Sequence, residues 1–223
     1  MSTRLRLLAT LLSALGFLGP ALPAHATLGP TTVSIAQARA LPLGTIVTVT
    51  GTATTPSGAF ESSFFDQGFA MQDLTAGIYV SVPTSLGIGL RTRVRVTGTL
   101  RDSFGLRILV PADAAAVTTL GQGLPVLPTL VRTADVSEAT EGRLVRVLGR
   151  ITRPPASDLP YGHKFYVDDG SGELTIFVNL QAAIDLTRLG AGDLVLVSGF
   201  SSQFDDHYEI DPRFPADVIV LHR

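Results

Sequence analysis

The chain has 223 residues, of which 45% are hydrophobic and 16% charged; this composition is typical of one or two globular domains and excludes a disordered tail. The 22 glycines, 14 prolines and absence of Trp favour short strands joined by turns over long helices. Because the chain contains no cysteine, disulfides, thiolate metal sites and cysteine nucleophiles are excluded.

The N-terminus has the pattern of a secretory signal peptide. Two arginines among the first six residues precede an apolar run at 7–18, and a small-x-small motif ends at Ala26. A transmembrane anchor would need about 20 apolar residues, but Pro20 and Pro23 interrupt the run earlier. We therefore expect cleavage after Ala26, a mature chain that begins at Thr27 in the periplasm or outside the cell, and no membrane span in it.

The rest of the sequence is one unit repeated. Similar segments occur in the same order in both halves: 43–56 and 141–154, 68–73 and 164–169, 93–98 and 194–199. Their spacing drifts only slightly, as insertions in surface loops allow. The sequence thus predicts two homologous domains at 31–120 and 130–223, joined by a linker at 121–129.

Each repeat has the period-two alternation of β-strands. Val47 and Val49 alternate with Thr48 and Thr50, as expected of a strand with one buried face. Apolar spacing over 180–189 predicts a short helix between the third and fourth strands of the second repeat. The expected fold class is all-β, with two tandem five-stranded Greek-key barrels of the OB type, each with at most a short helix between strands three and four.

Particular strings resemble a known family. Segments 43–51, 71–80 and 93–98 of the first repeat and 165–172 of the second resemble the OB-fold repeats of secreted bacterial proteins, including the non-catalytic modules attached to extracellular nucleases. The resemblance covers nearly all of the expected mature chain. It implies oligonucleotide binding, by analogy of fold.

The candidate binding residues follow from the outward strand positions. In the second repeat, arginines and aromatic rings share a predicted outer face or its neighbouring loop, and single strands stack bases on such rings while cations meet phosphates. In the first repeat the face offers one aromatic residue, and arginines alternate on the fourth strand. The predicted nucleic-acid-binding residues are Arg146, Arg150, Arg153, Tyr161, Lys164, Tyr166 and Phe177, with Tyr79, Arg91, Arg93 and Arg95. Core packing for Phe177 and a solvated or edge-protecting role for the arginines are the structural alternatives.

Charge weighs against a strong polyanion binder. Residues 27–125 contain six basic and five acidic side chains, whereas residues 126–223 contain nine and fourteen. Binding to single-stranded nucleic acid should therefore be modest and sensitive to salt. An envelope or extracellular protein or glycan is the alternative partner, since OB folds also bind oligosaccharides.

A metal-dependent hydrolase centred on Asp205–Asp211 is the weakest alternative. Aspartate, glutamate and histidine are concentrated there, but their spacing matches no metal loop, and turn formation explains them. The sequence predicts a protein that is not an enzyme, with no catalytic residues, no metal and no cofactor.

Overall fold

A computed structural model describes residues 31–60 and 66–222 of the chain. The predicted signal peptide lies outside these residues. Among the residues described, no helix is long and apolar enough to cross a membrane.

The first half forms a closed barrel. Strands β2 to β6 close in the order β2-β3-β4-β6-β5, because β5 also pairs with β2; β1 and β7 extend the sheet at its edges. The strands are β1 (Thr31–Thr32), β2 (Ile46–Ala53), β3 (Phe69–Gln72), β4 (Gly77–Val80), β5 (Thr92–Ser103), β6 (Leu106–Pro111) and β7 (Val117–Gln122), with a helix α1 (Ile35–Arg39) and a 3-10 turn (Ala114–Ala116).

The second half repeats this arrangement. The order β9-β10-β11-β13-β12 is closed by pairing of β12 with β9, and β8 and β14 flank it. The strands are β8 (Thr129–Leu130), β9 (Leu144–Asp158), β10 (Gly162–Asp168), β11 (Leu174–Asn179), β12 (Leu194–Phe204), β13 (His207–Asp211) and β14 (Val218–His222), with 3-10 turns at Thr133–Asp135, Leu180–Ala182 and Pro215–Asp217.

The two barrels match in register as well as in order. Thr31 pairs with Val47 as Thr129 pairs with Val145, and the parallel pair Tyr79–Ile108 has its counterpart in Thr175–Glu209. The prediction of two tandem OB-type barrels is confirmed. β7 continues through Gln122 and β8 begins at Thr129, so strand structure enters both ends of the segment predicted as the linker.

The long first strand of each barrel serves two neighbours. β9 pairs with β12 through its first half and with β10 through its second. At the crossover a side chain on Gly149 would overlap the backbone of Asp168, and Gly51 faces Gln72 in the same way in β2. Glycine at this position lets the backbones approach as the strand bends.

The predicted helix between strands three and four of the second barrel is shorter than expected. Only Leu180–Ala182 form a 3-10 turn, and Ala183 follows with a positive φ of 51°, which ends the helix. The short helix α1 was not predicted. Its five residues are capped by Ser34, whose hydroxyl accepts from the Gln37 N–H while the Gln37 side chain accepts from the Ser34 N–H.

Each barrel has its own apolar core. Val47, Val49, Phe69 and Ile78 are among the buried residues of the first, and Val145, Val147, Phe165 and Ile176 among those of the second. A third cluster lies between the barrels, where Phe200 of β12 packs on the outer face of β3, β4 and β6. Its members are Ala59, Phe60, Ala70, Tyr79, Leu106, Ile108 and Phe200.

Polar contacts reinforce the junction between the barrels. Arg39 of α1 forms an ion pair of 2.9 Å with Glu141, which also accepts the Arg107 N–H at 3.0 Å. Gly77 and Gly142 face each other so closely that a side chain on either would overlap the other's backbone. The barrels are therefore packed against each other through both apolar and polar contacts.

Candidate ligand-binding cleft

A cleft of about 850 Å³ lies on the outer face of the second barrel, next to the first. Its wall is built by outward residues of β10, β11, β12 and β13, and the β5–β6 hairpin of the first barrel closes one side. This β5–β6 hairpin meets the β12–β13 hairpin of the second barrel, where the rings of Phe104 and Phe204 stack with their centroids 5.4 Å apart. The Asp205 N–H also donates to the Phe104 carbonyl.

Aromatic rings form much of the lining. They reach the cleft because residues of one parity on each strand point away from the barrel core: Tyr166 alternates with buried Phe165 and Val167. Across the β10–β11 pair, Lys164 lies opposite Phe177 and Tyr166 opposite Thr175. The aromatic residues lining the cleft are Phe60, Tyr79, Phe104, Tyr161, Tyr166, Phe177 and Phe204.

Hydrogen-bonding groups surround these rings. Lys164 is at the rim, where its ammonium forms an ion pair of 3.2 Å with Asp158. The side chains of Asn179, Gln181 and Gln203 also line the cleft. Such amides can both donate and accept hydrogen bonds, so the cleft suits a polar ligand with flat or apolar faces.

Carboxyl groups form the floor of the cleft on β13. Glu209 and Asp211 are both buried and both line it, and Glu209 lies 3.5 Å from the His207 imidazole. The hydrogen bond and charge of Glu209 raise the pKa of His207, against burial, which lowers it. Burial and the charge of Glu209 raise the pKa of Asp211 well above its usual range, while a hydrogen bond with Ser202 opposes the shift.

Five of the binding residues predicted in the second barrel come together at this cleft. The cleft is lined by Tyr161, Lys164, Tyr166 and Phe177. Arg153 stacks on the ring of Tyr166, with its guanidinium carbon 3.3 Å from the ring centroid. Arg153 also forms an ion pair with Glu173. Phe177 is half-buried and turned away from the barrel core, so the structure favours an outward position over the core alternative.

Arg146 and Arg150 do not join these residues. β9 curves around the barrel, so the part that carries Arg146 pairs with β12 while the part that carries Arg153 pairs with β10. Arg146 and Arg153 are seven residues apart, which corresponds to about 23 Å measured along an extended strand. The Arg146 guanidinium donates to the Ser198 hydroxyl, and that of Arg150 to the Gly192 carbonyl. Arg146 therefore lies away from Tyr166, whereas Arg150 is paired with Asp168, two residues from Tyr166 on β10. Neither arginine lines the cleft.

Tyr79 also differs from its predicted role. It points away from the first barrel's core, but it is only 1% exposed, because its ring packs against those of Phe60 and Phe200. Its hydroxyl donates to the Asp66 carboxylate at 2.6 Å. Tyr79 reaches the wall of the cleft, but it is a packed interface residue and not a free stacking platform.

Arg91, Arg93 and Arg95 lie on a different surface. Arg93 and Arg95 are exposed and alternate with buried Val94 on β5, and Arg91 precedes that strand and donates to the Gly123 carbonyl. None of the three lines the cleft. The structure thus separates this basic stripe from the aromatic residues of the second barrel.

The floor of the cleft was not predicted as a binding surface. Turn formation explains Asp205, with a positive φ of 52°, and Asp206, which occupy the β12–β13 turn, whereas His207, Glu209 and Asp211 lie on β13. The alternating spacing of the other three predicts one strand face. Among the described residues, no group of three or more His, Asp or Glu side chains is placed to hold a metal ion.

Comparisons with known proteins give structural likenesses only. No family model matches the sequence, and no curated protein matches it. A murine DNA binding protein bound with double-stranded DNA is 12% identical and covers 79% of this chain and 97% of its own, at a TM-score of 0.42. The Ifi202 HINa domain in complex with a DNA duplex is 11% identical over 81% and 96%, at 0.32. An OBody bound to hen egg-white lysozyme is 20% identical over 44% and 99%, at 0.35. All three scores are low, so the case for function rests on the cleft.

Proposed function

We propose that this protein is an exported, non-enzymatic module that binds single-stranded nucleic acid in the cleft of its second barrel. The observation that carries the proposal is the grouping of Tyr161, Tyr166, Phe177 and Phe204 with Lys164 around one cleft. It lies on the strand face and beside the loops through which OB folds bind oligonucleotides. Exposed rings of this kind stack bases with little regard to sequence.

The charges of the cleft favour binding through bases over binding through phosphates. Lys164 is already paired with Asp158, and Glu209 and Asp211 form the floor. Phosphates would be repelled from that floor, so they belong at the rim, near Lys164 and the Arg153 guanidinium that extends the Tyr166 stack. Affinity should therefore come mainly from stacking, with few counterions released.

A fluorescence-anisotropy titration with mixed-sequence single-stranded DNA tests the proposal. The double variant Tyr166→Ala, Phe177→Ala should weaken binding by about 2–6 kcal/mol if each ring stacks one base. Leu148→Ala is the matched control, because this exposed apolar side chain lies on the outer face of β9 outside the cleft. Equal affinity of the double variant and the wild type, or no binding by the wild type at low salt, would contradict the proposal.

The amide groups of the cleft support a second candidate, an oligosaccharide. Asn179, Gln181 and Gln203 stand beside aromatic rings, and sugar rings present hydroxyls at their edges and apolar faces that can lie on aromatic side chains. OB folds bind oligosaccharides through the same region. Calorimetric titration with a neutral glucan oligosaccharide distinguishes this ligand, since its affinity should not depend on salt.

Export is proposed from the first 26 residues alone. Mass spectrometry of protein secreted by a bacterial host should give an N-terminus at Thr27. A retained Met1 on membrane-extracted protein would refute this part of the proposal.

A further inference from the structure

Comparison of equivalent positions in the two barrels shows which residues the fold itself requires. Pairing aligns Ile108 with Glu209, since Tyr79 and Thr175 are their respective parallel partners. By the same register Val110 occupies the position of Asp211, and the first barrel keeps both positions apolar. The fold therefore does not require carboxyl groups at this place.

Their burial makes the two carboxyl groups costly. Asp211 is only 5% exposed and Glu209 7%, and a buried polar group without a partner destabilises a protein. Among residues 31–60 and 66–222, no hydrogen-bond partner reaches Oδ1 of Asp211. A buried carboxyl oxygen that lines a cleft and lacks a partner points to a ligand that supplies the missing hydrogen bond.

We infer that the floor of the cleft selects nucleobases that carry an amino group over thymine and uracil. This inference rests on the proposed function. Glu209 and Asp211 together present four oxygens. Even with one proton shared between them and the hydrogen bonds from His207 and Ser202, these oxygens have more acceptor sites than donors.

The base edges differ in how well they satisfy this floor. Cytosine and adenine have an exocyclic amino group with two N–H donors beside a ring nitrogen, and that nitrogen can accept the single proton of the carboxyl pair. Thymine has one N–H between two carbonyls, so it supplies one donor fewer than an amino group and brings a further acceptor to a floor that already has an excess of acceptors. Burial raises the pKa of Asp211, which favours the protonated form that this pairing uses.

The first barrel also supplies the test variants. Asp211→Val and Glu209→Ile install the residues found at the equivalent positions, so the barrel should fold, and replacing buried charge by apolar groups is often neutral or stabilising. Asp206→Asn is the matched control, because it removes an acidic group whose fully exposed side chain lies outside the cleft.

The experiment compares labelled oligo-dC, oligo-dA and oligo-dT of about 12 nucleotides by anisotropy at one salt concentration and neutral pH. Wild type and Asp206→Asn should bind oligo-dC and oligo-dA roughly tenfold more tightly than oligo-dT. Asp211→Val should bind all three alike. If that variant does not fold, Glu209→Gln should still reduce the preference severalfold.

Two outcomes separate this inference from the proposed function. Equal binding of all three oligonucleotides by the wild type, with loss of binding in the Tyr166 and Phe177 variant, overturns the inference and leaves the function standing. Binding of none of them overturns both.

Discussion

The ion pair that joins α1 to the second barrel offers a sharp test of how the barrels are held together. Replacing Arg39 by Met removes the cation and leaves Glu141, whose side chain is fully buried, without its charged partner. Breaking a buried pair in this way costs about 3–5 kcal/mol. For a protein of this size that corresponds to a melting temperature lower by roughly 6–20 °C, measurable by circular dichroism.

The pH dependence of this effect has a definite sign. Burial raises the pKa of Glu141 from its ordinary value of 4.5, and Arg39 partly counteracts the shift. A carboxyl group whose pKa is raised in the folded state stabilises the fold when protonated and loses that contribution as pH rises through the folded pKa. The loss of stability caused by Arg39→Met should therefore be largest at neutral pH and should shrink as pH falls toward 4.5.

A second substitution provides the control. Arg39→Met combined with Glu141→Gln should recover part of the lost stability, since no charge is then left buried. A loss of stability below about 1 kcal/mol in Arg39→Met would refute the view that this pair is a buried ion pair. So would a double variant that is no more stable than Arg39→Met alone. DNA binding should be unchanged, because neither residue lines the cleft.

Three further predictions concern stability. Tyr79→Phe removes the hydroxyl that donates to buried Asp66 and should cost about 1–3 kcal/mol in chemical denaturation; an unchanged midpoint would contradict the buried bond. Gly142→Ala should destabilise by at least about 1 kcal/mol more than Gly121→Ala, since both glycines have positive φ but only Gly142 meets another backbone; equal losses would show that the contact is unimportant. Asp169→Asn should cost about 1 kcal/mol at neutral pH. Hydrogen bonds from Ser171, opposed by desolvation, and from Thr133 lower the pKa of Asp169 to about 2, so this deficit should vanish as pH falls from 3.8 to 2; a deficit that persists in acid would implicate another cause.

The strands were predictable from the sequence because their signals are local. Alternation of Val47 and Val49 with threonines fixes which face is buried, and the repeat carries that assignment into the second half. The outward position of Tyr166 and Phe177 follows from the same parity. Both residues line the cleft, so this part of the site was predictable from the alternation of buried and outward residues along the strands.

The sharing of surfaces between the barrels could not be predicted in this way. Parity shows that Tyr79 points outward, but only the packing of Phe200 from the other barrel shows that it is covered. Likewise, Arg146 and Arg153 have outward positions on one strand, yet the bend at Gly149 directs them to different sides. Contacts between distant segments and the curvature of a long strand are not properties of a local pattern.

The burial of the first barrel's outer face has a consequence for stoichiometry. On that barrel the β3–β4–β6 surface is covered by Phe60 and Phe200, whereas among the described residues the corresponding face of the second barrel borders the cleft. Tandem copies of a binding module usually gain avidity because the second site acts at a high effective concentration. On the proposed function, the first barrel supports the second, and the chain would bind one ligand although it contains two copies of the binding fold.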